Sequence, residues 1–204
     1  EKTGAVRMTE AEKRYTIEKV FKTSGCAPKP ETIDQMVKLA REVHFPAGAA
    51  IQEIGVEQKY LYLITEGIAR SYYIDSEGND ITKMFIREEE FAVGESLFLP
   101  ESLEVFEALE NLKSLRFEAK KMKEIIYSDK AALVSYAGML EQTVIYKMRR
   151  EYSLQNMQAM ERYLQFREDY RDLLERVPQN VIASYLGIKK ESLSRLRRNL
   201  RDNG

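Results

Sequence analysis

VPQNVIASYLGIKKESLSRLRRNL, residues 177–200, carries two apolar-periodic runs on either side of one glycine, Gly187. The run before the glycine is uncharged, and the run after it is dense in Lys and Arg. A helix–turn–helix needs a small residue where the two helices cross and a residue in the turn that accepts a left-handed backbone. It also needs apolar side chains on the facing sides of both helices. Ala183, four residues before Gly187, is the small residue. Ile182, Leu186 and Ile188 line one side, and Leu193, Leu196 and Leu200 line the other.

At about 100° per residue, with Lys190 as zero, those three leucines fall at roughly 240° to 300°. Ser194, Arg198, Glu191 and Arg195 fall on the opposite face, with Lys190, Arg197 and Arg201 beside them. Over residues 179–204 six Lys and Arg stand against two Asp and Glu, inside a chain whose formal net charge is −1. No global field draws this protein to a polyanion, so any attraction is local.

A helix of this kind fits the major groove of B-DNA. Arg forks onto guanine, Glu accepts from cytosine N4, and flanking cations neutralise phosphates and set the register. A lone Glu at the centre of a basic face is repelled by phosphate, which favours a role at the bases. The candidate DNA contacts are Lys189, Lys190, Glu191, Ser192, Ser194, Arg195, Arg198 and Arg201. Only RDNG follows Leu200, so phosphate contacts are expected from the helices rather than from a C-terminal β-wing.

Upstream, NMQAMERYLQFREDYRDLLERV supplies more helix over 153–177, and Pro178 suits the first turn of the next one. Ser128 and Asp129 form an N-cap for a long helix through about residue 152. On it Leu133, Ala137, Leu140, Val144 and Met148 recur at spacings of 4, 3, 4 and 4. That narrow apolar stripe between charged faces is close to a coiled-coil seam, and it predicts a helix–helix dimer interface. Gly138 in mid-helix would let a neighbouring backbone approach.

The texture from 42 to about 118 is different. Glycines recur at 48, 55, 67, 78 and 94, and the runs between them are rich in Tyr, Ile, Leu and Phe. KYLYLITEGIARSYYIDSEGNDITKMFI, residues 59–86, reads as three strands with turns at Glu66-Gly67 and at Ser76 to Asn79. An antiparallel sandwich or roll is expected. Two helices precede it, one over 1–24 that stops at Ser24-Gly25 and one over 31–41 after Pro30.

The whole reads as α+β. An N-terminal antiparallel β-roll with flanking helices over 1–127 is followed by a dimerisation helix over 128–152 and an all-α helix–turn–helix domain over 153–204. At 204 residues and 44% hydrophobic content the chain can bury a sizeable core. One cysteine, Cys26, allows no internal disulfide and fits a reducing, cytoplasmic setting. No apolar run approaches a bilayer span. One His and one Cys leave little for a nucleophile, base or metal, so a binding protein is expected rather than an enzyme.

With roll, stripe helix and terminal hairpin in this order, residues 30–204 resemble the CRP/FNR family. The likeness is strongest in IASYLGIKKESLSRLRR, and FPAGAAI, LYLITEGIARSYY and FAVGESLFL carry the glycines of the roll. It implies a dimeric bacterial transcription regulator that reads a palindromic site. Double-stranded DNA, a second copy of the chain and RNA polymerase would be its partners, with no membrane role. The family's Glu-x-x-x-Arg pattern falls on Glu191 and Arg195, so Lys190, Glu191 and Arg195 take the base-facing roles.

The resemblance also implies an effector pocket at Gly94, Glu95, Ser96 and Ser102. Members that bind cyclic AMP follow Gly-Glu with Arg-Ser or Arg-Thr. Here LFLPESLEVFEALENL contains no arginine, and Ser102-Leu103 stands in that place. A buried phosphate would lose its charge-assisted partner, at a loss of several kcal/mol. Cyclic AMP is therefore not the expected effector, and a carboxylate, an apolar ligand or none remains open. Arg70 and Arg87 are the arginines left to substitute. Cys26 alone cannot hold an iron–sulfur cluster, and His44 reads as a structural strand residue rather than a haem ligand, so no cofactor is expected. The alternative is a ligand- or protein-binding signalling module whose terminal helices do not touch DNA.

Overall fold

The computed structural model describes residues 7–23, 25–94 and 101–202. Helices α1 (Glu10–Thr23) and α2 (Pro30–Leu39) come first. Eight strands follow: β1 (Arg41–Phe45), β2 (Ala50–Gln52), β3 (Tyr60–Glu66), β4 (Ala69–Ile74), β5 (Asp80–Ile86), β6 (Phe91–Ala92), β7 (Val105–Ala108) and β8 (Leu112–Glu118). Helices α3 (Ala119–Ser128), α4 (Lys130–Asn156), α5 (Ala159–Asp169), α6 (Gln179–Leu186) and α7 (Lys190–Asp202) complete the described chain. The strands form two four-stranded sheets, in the orders β1-β8-β3-β6 and β2-β7-β4-β5. The expected α+β class, with a β-roll ahead of an all-α C-terminal part, is what the chain adopts.

The chain divides into two compact units, Glu1–Ser71 with Phe85–Gln142 and Tyr72–Met84 with Thr143–Gly204. In the first, side-chain alternation on β3 and β8 turns Leu61 and Leu63 to the same face as Phe117 and Leu115, their antiparallel partners. Ile17, Val20 and Phe21 of α1 pack into the same core with Ile33, Met36 and Val37 of α2. Each such side chain is worth about 1.5–3 kcal/mol when fully buried. The second unit is built around Tyr163, Phe166, Val181, Ile182, Tyr185 and Leu193, all buried. Phe166, Tyr170 and Tyr185 meet with ring centroids 5.2 to 5.8 Å apart.

Several boundaries differ from the sequence expectation. The first described helix opens at Glu10, where the Thr9 hydroxyl accepts the Glu12 N–H and the Glu12 carboxylate accepts the Thr9 N–H. Ser24, expected to end it, lies outside the described residues. The second helix stops at Leu39 rather than 41, because Ala40 turns extended and Arg41 begins β1. The long helix runs on to Asn156. The stretch expected to be helical over 153–177 holds α5, then a single 3₁₀ turn at Arg171–Leu173.

Glu66-Gly67 is a corner and not a hairpin, since β3 and β4 lie in different sheets. Gly67 has φ +97°, and a Cβ there would sit 2.9 Å from the Asn111 carbonyl oxygen. Asp129 caps α4 as expected, its Oδ1 accepting the Ala131 N–H at 2.8 Å. Its Oδ2 also accepts the Lys29 N–H at 2.8 Å and the Thr32 hydroxyl at 2.7 Å. One buried carboxylate thus ties the start of α2 to the start of α4. Gly138 has no heavy atom within 4 Å of a built Cβ, so within one chain the space beside it is open.

Candidate nucleic-acid interface and effector site

The turn between α6 and α7 follows from the backbone of Gly187, which takes φ 64° and ψ 37° in the left-handed region. Its N–H donates to Ser184 O, and the Ile188 N–H donates to Ala183 O, both at 3.0 Å. That pair of bonds satisfies two of the carbonyls a helix leaves open at its C-terminus. A third, Leu186 O, accepts from Arg162 Nε at 2.9 Å, which also puts a cation at the negative end of α6. The sequence offered no signal for Arg162, which reaches α6 from another helix.

On α7 the division of faces follows the helical wheel. Leu193 is 0% exposed, and Leu196 and Leu200 are half-buried. Lys189, Lys190, Glu191, Ser194, Arg195, Arg198 and Arg201 are exposed, and Ser192 is half-buried. Ser194 returns its hydroxyl to Lys190 O at 3.1 Å, and Arg195 Nη2 lies 3.4 Å from the Ser192 hydroxyl. Among the described residues, none of Lys189, Lys190, Arg195, Arg198 and Arg201 is held in an ion pair. The structure thus offers a face of unneutralised cations, with Glu191 exposed among them, backed by buried leucine.

On α4 the expected seam residues Leu133, Ala137, Leu140, Val144 and Met148 are all exposed in the single chain, with Leu140 at 38% and Met148 at 65%. Val134, Ile145 and Tyr152 add further exposed apolar surface on the same helix.

In the roll, Glu95 and Ser96 lie outside the described residues. Gly94 is buried, and its N–H donates to Gln58 Oε1 at 2.8 Å. Gln58 in turn donates to Tyr60 O and Ala92 O. A Cβ on Gly94 would fall 2.8 Å from the Phe106 ring. Ser102 is sealed; its hydroxyl donates to Glu104 O at 2.7 Å and accepts the Glu104 N–H at 3.3 Å. Glu104 itself is 0% exposed, a fully buried acidic residue that sequence reasoning passed over.

The two substitute arginines are both engaged by carboxylates. Arg70 places Nε and Nη2 each 2.7 Å from Glu107 Oε2, and Arg87 lies 3.3 Å from Glu90. His44 is exposed on β1, opposite Lys113 of β8. Cys26 is half-buried with a free thiol, and its carbonyl accepts the Ser135 hydroxyl. Among the described residues no group of three or more His, Cys, Asp or Glu could hold a metal ion. No helix among them is long and apolar enough to cross a membrane.

Residues 42–129 match the family model of the cyclic nucleotide-binding domain. No curated protein matches the chain in sequence. Among solved structures, FixK2 from Bradyrhizobium japonicum is similar over 81% of this chain and 86% of its own, at 20% identity and a TM-score of 0.71. The c-di-GMP responsive global regulator CLP of Xanthomonas campestris is similar over 86% and 93%, at 13% identity and a TM-score of 0.70. The catabolite activator protein of Thermus thermophilus is similar over 86% and 85%, at 18% identity and a TM-score of 0.51. The chain has the fold of the CRP/FNR regulators, as the sequence resemblance led one to expect.

Proposed function

We propose that this chain is a homodimeric, sequence-specific DNA-binding transcription regulator of the CRP/FNR type. The observation that carries the reading is the exposed, unpaired cationic face of α7 over a sealed Leu193. Arg195, Glu191 and Lys190 address base edges, while Lys189, Ser192, Ser194, Arg198 and Arg201 hold the backbone. Two copies joined along the α4 stripe would present two α7 helices about one turn of duplex apart, which matches a palindromic site. In this reading the protein acts by binding, with RNA polymerase as its downstream partner and no chemistry of its own.

In this reading cyclic AMP is not an effector, and a carboxylate, an apolar ligand or none stays open. Support comes from Ser102 in place of an arginine, from the buried Glu104, and from the engagement of Arg70 and Arg87 by their own carboxylates. An anionic phosphate brought beside Gly94 would lie near the buried Glu104, and among the described residues the two substitute arginines already carry carboxylate partners.

Selection of bound duplexes from a random pool, with the purified dimer, tests the reading. Recovery of a two-fold-symmetric sequence, bound with a steep inverse dependence on salt, is the expected result. A stable dimer that enriches no sequence would leave the terminal helices as an interaction hairpin of a signalling module.

A further inference from the structure

Ser184 stands on α6, one residue after the Ala183 that the turn motif uses. Its Oγ accepts the Thr82 N–H at 2.8 Å and donates to the Asp80 carbonyl at 2.7 Å. Both groups belong to β5, two residues apart, where backbone polar groups repeat on one side of a strand. β5 is the edge strand of its sheet. One hydroxyl therefore supplies a donor and an acceptor to that edge, as a neighbouring strand would.

A second tie lies beside it. The Tyr146 hydroxyl donates to Lys83 O at 2.9 Å and lies 3.4 Å from the Tyr185 hydroxyl. Tyr185, next to Ser184, has Arg150 stacked on its ring at 3.8 Å, and Arg150 Nη2 donates to the Tyr185 carbonyl. Residues 72–84 accordingly group with 143–204, although β4 begins at Ala69 and β5 ends at Ile86, both outside that unit.

The geometry points to Ser184 as a latch that couples the β4–β5 hairpin to the reading helix. The hairpin, α6 and α7 form one body, so that any displacement of β4 and β5 is delivered to α7 through Ser184. Ser184 is a positioning residue, since it touches no base. With the latch broken, α7 samples more orientations, and ordering them again on a two-site duplex costs affinity.

The functional half of this inference rests on the DNA-binding reading; the structural half does not. The test compares Ser184→Ala and Ser184→Thr with the unaltered chain, by residue-resolved amide hydrogen exchange and by titration of the selected duplex and a random one. Ser184→Ala should raise exchange at Thr82 by about tenfold or more while amides of β1 and β8 keep their rates. It should lower affinity for the selected duplex by about 3- to 10-fold and leave the random duplex unchanged. Ser184→Thr, which keeps the hydroxyl, should restore both to within about twofold.

Unchanged exchange at Thr82 would show that no latch forms. Faster exchange with unaltered duplex affinity would show a latch that does not couple. A uniform rise over both units would reduce Ser184 to a stability residue. Should the unaltered chain select no duplex, the regulator reading fails instead, and the exchange rates alone decide the latch.

Discussion

Leu193 is sealed from solvent while Arg195, two residues along the same helix, is exposed. Two residues turn an α-helix by about 200°, so the pair faces nearly opposite ways. Leu193 fixes the roll angle of α7 against α6, and that angle aims Arg195 outward. The packing role of Leu193 and the proposed reading role of Arg195 are therefore separable by substitution.

Arg195→Ala and Lys190→Ala should each cost about 1–3 kcal/mol on the preferred duplex and relax sequence preference. Arg201→Ala should weaken all sequences alike and reduce the salt slope by about one unit. Competition between selected and random duplexes, across a range of salt, reads both effects. Equal loss on the two duplexes for Arg195→Ala would remove it from the bases.

Leu193→Ala should destabilise the C-terminal unit by about 2–5 kcal/mol, because it empties a fully buried site. Its duplex affinity should fall together with the unfolding midpoint, measured by circular dichroism in urea. Affinity lost without any change in midpoint would contradict a packing role.

Gly187→Ala puts a Cβ on a backbone at φ +64°, with Leu154 Cδ2 only 3.3 Å away. A left-handed residue other than glycine costs roughly 1–2 kcal/mol. A fall of several degrees in melting temperature is expected by calorimetry, roughly 2–4 °C per kcal/mol for a chain of this size.

Val144→Glu and Met148→Glu place charge on exposed positions of the α4 stripe. Within a single chain they should leave the fold intact. Sedimentation should show the proposed dimer for the unaltered chain and monomers for both variants, since a seam excludes unpaired charge. Unchanged sedimentation would place the dimer contact elsewhere.

Asp129 accepts hydrogen bonds from the Lys29 N–H, the Thr32 hydroxyl and the Ala131 N–H, and these hold its carboxyl down at about 2 against burial. A carboxyl depressed in the fold contributes stability that is complete above its unfolded value near 3.8 and is lost as pH falls towards 2. Denaturant unfolding between pH 6 and 2 should show this loss, and Asp129→Asn should flatten that limb. An identical acid limb in the variant would assign the effect to other groups.

Much of this architecture could be read in the chain itself. The phases of Ile182, Leu186, Leu193 and Leu196 around Gly187 are short-range, and 3.6-residue periodicity fixes which side of each helix is apolar. Short runs of Tyr, Ile and Leu on either side of Glu66-Gly67 in KYLYLITEGIARSYYI marked β3 and β4 from equally local signals. Helix ends were less legible. α2 ends at its C-cap Ala40, where Arg41 begins to pair with Arg116 of β8, a partner distant in the chain.

What tertiary structure alone decided is every relationship that spans long separations. Alternation cannot say that β3 and β4 part into different sheets at Gly67, because a strand's pattern does not name its partner. Nor could it place the Asp129 carboxylate on Thr32, or the Ser184 hydroxyl on Thr82 about a hundred residues away. Ser184 carries no local signature, since a serine on a half-buried helix face satisfies itself by many routes. The sequence by itself set the two helices, their turn and the basic face they offer. Folding chose what the first of those helices grips, because closing a long loop is rewarded only once its distant partner is in place.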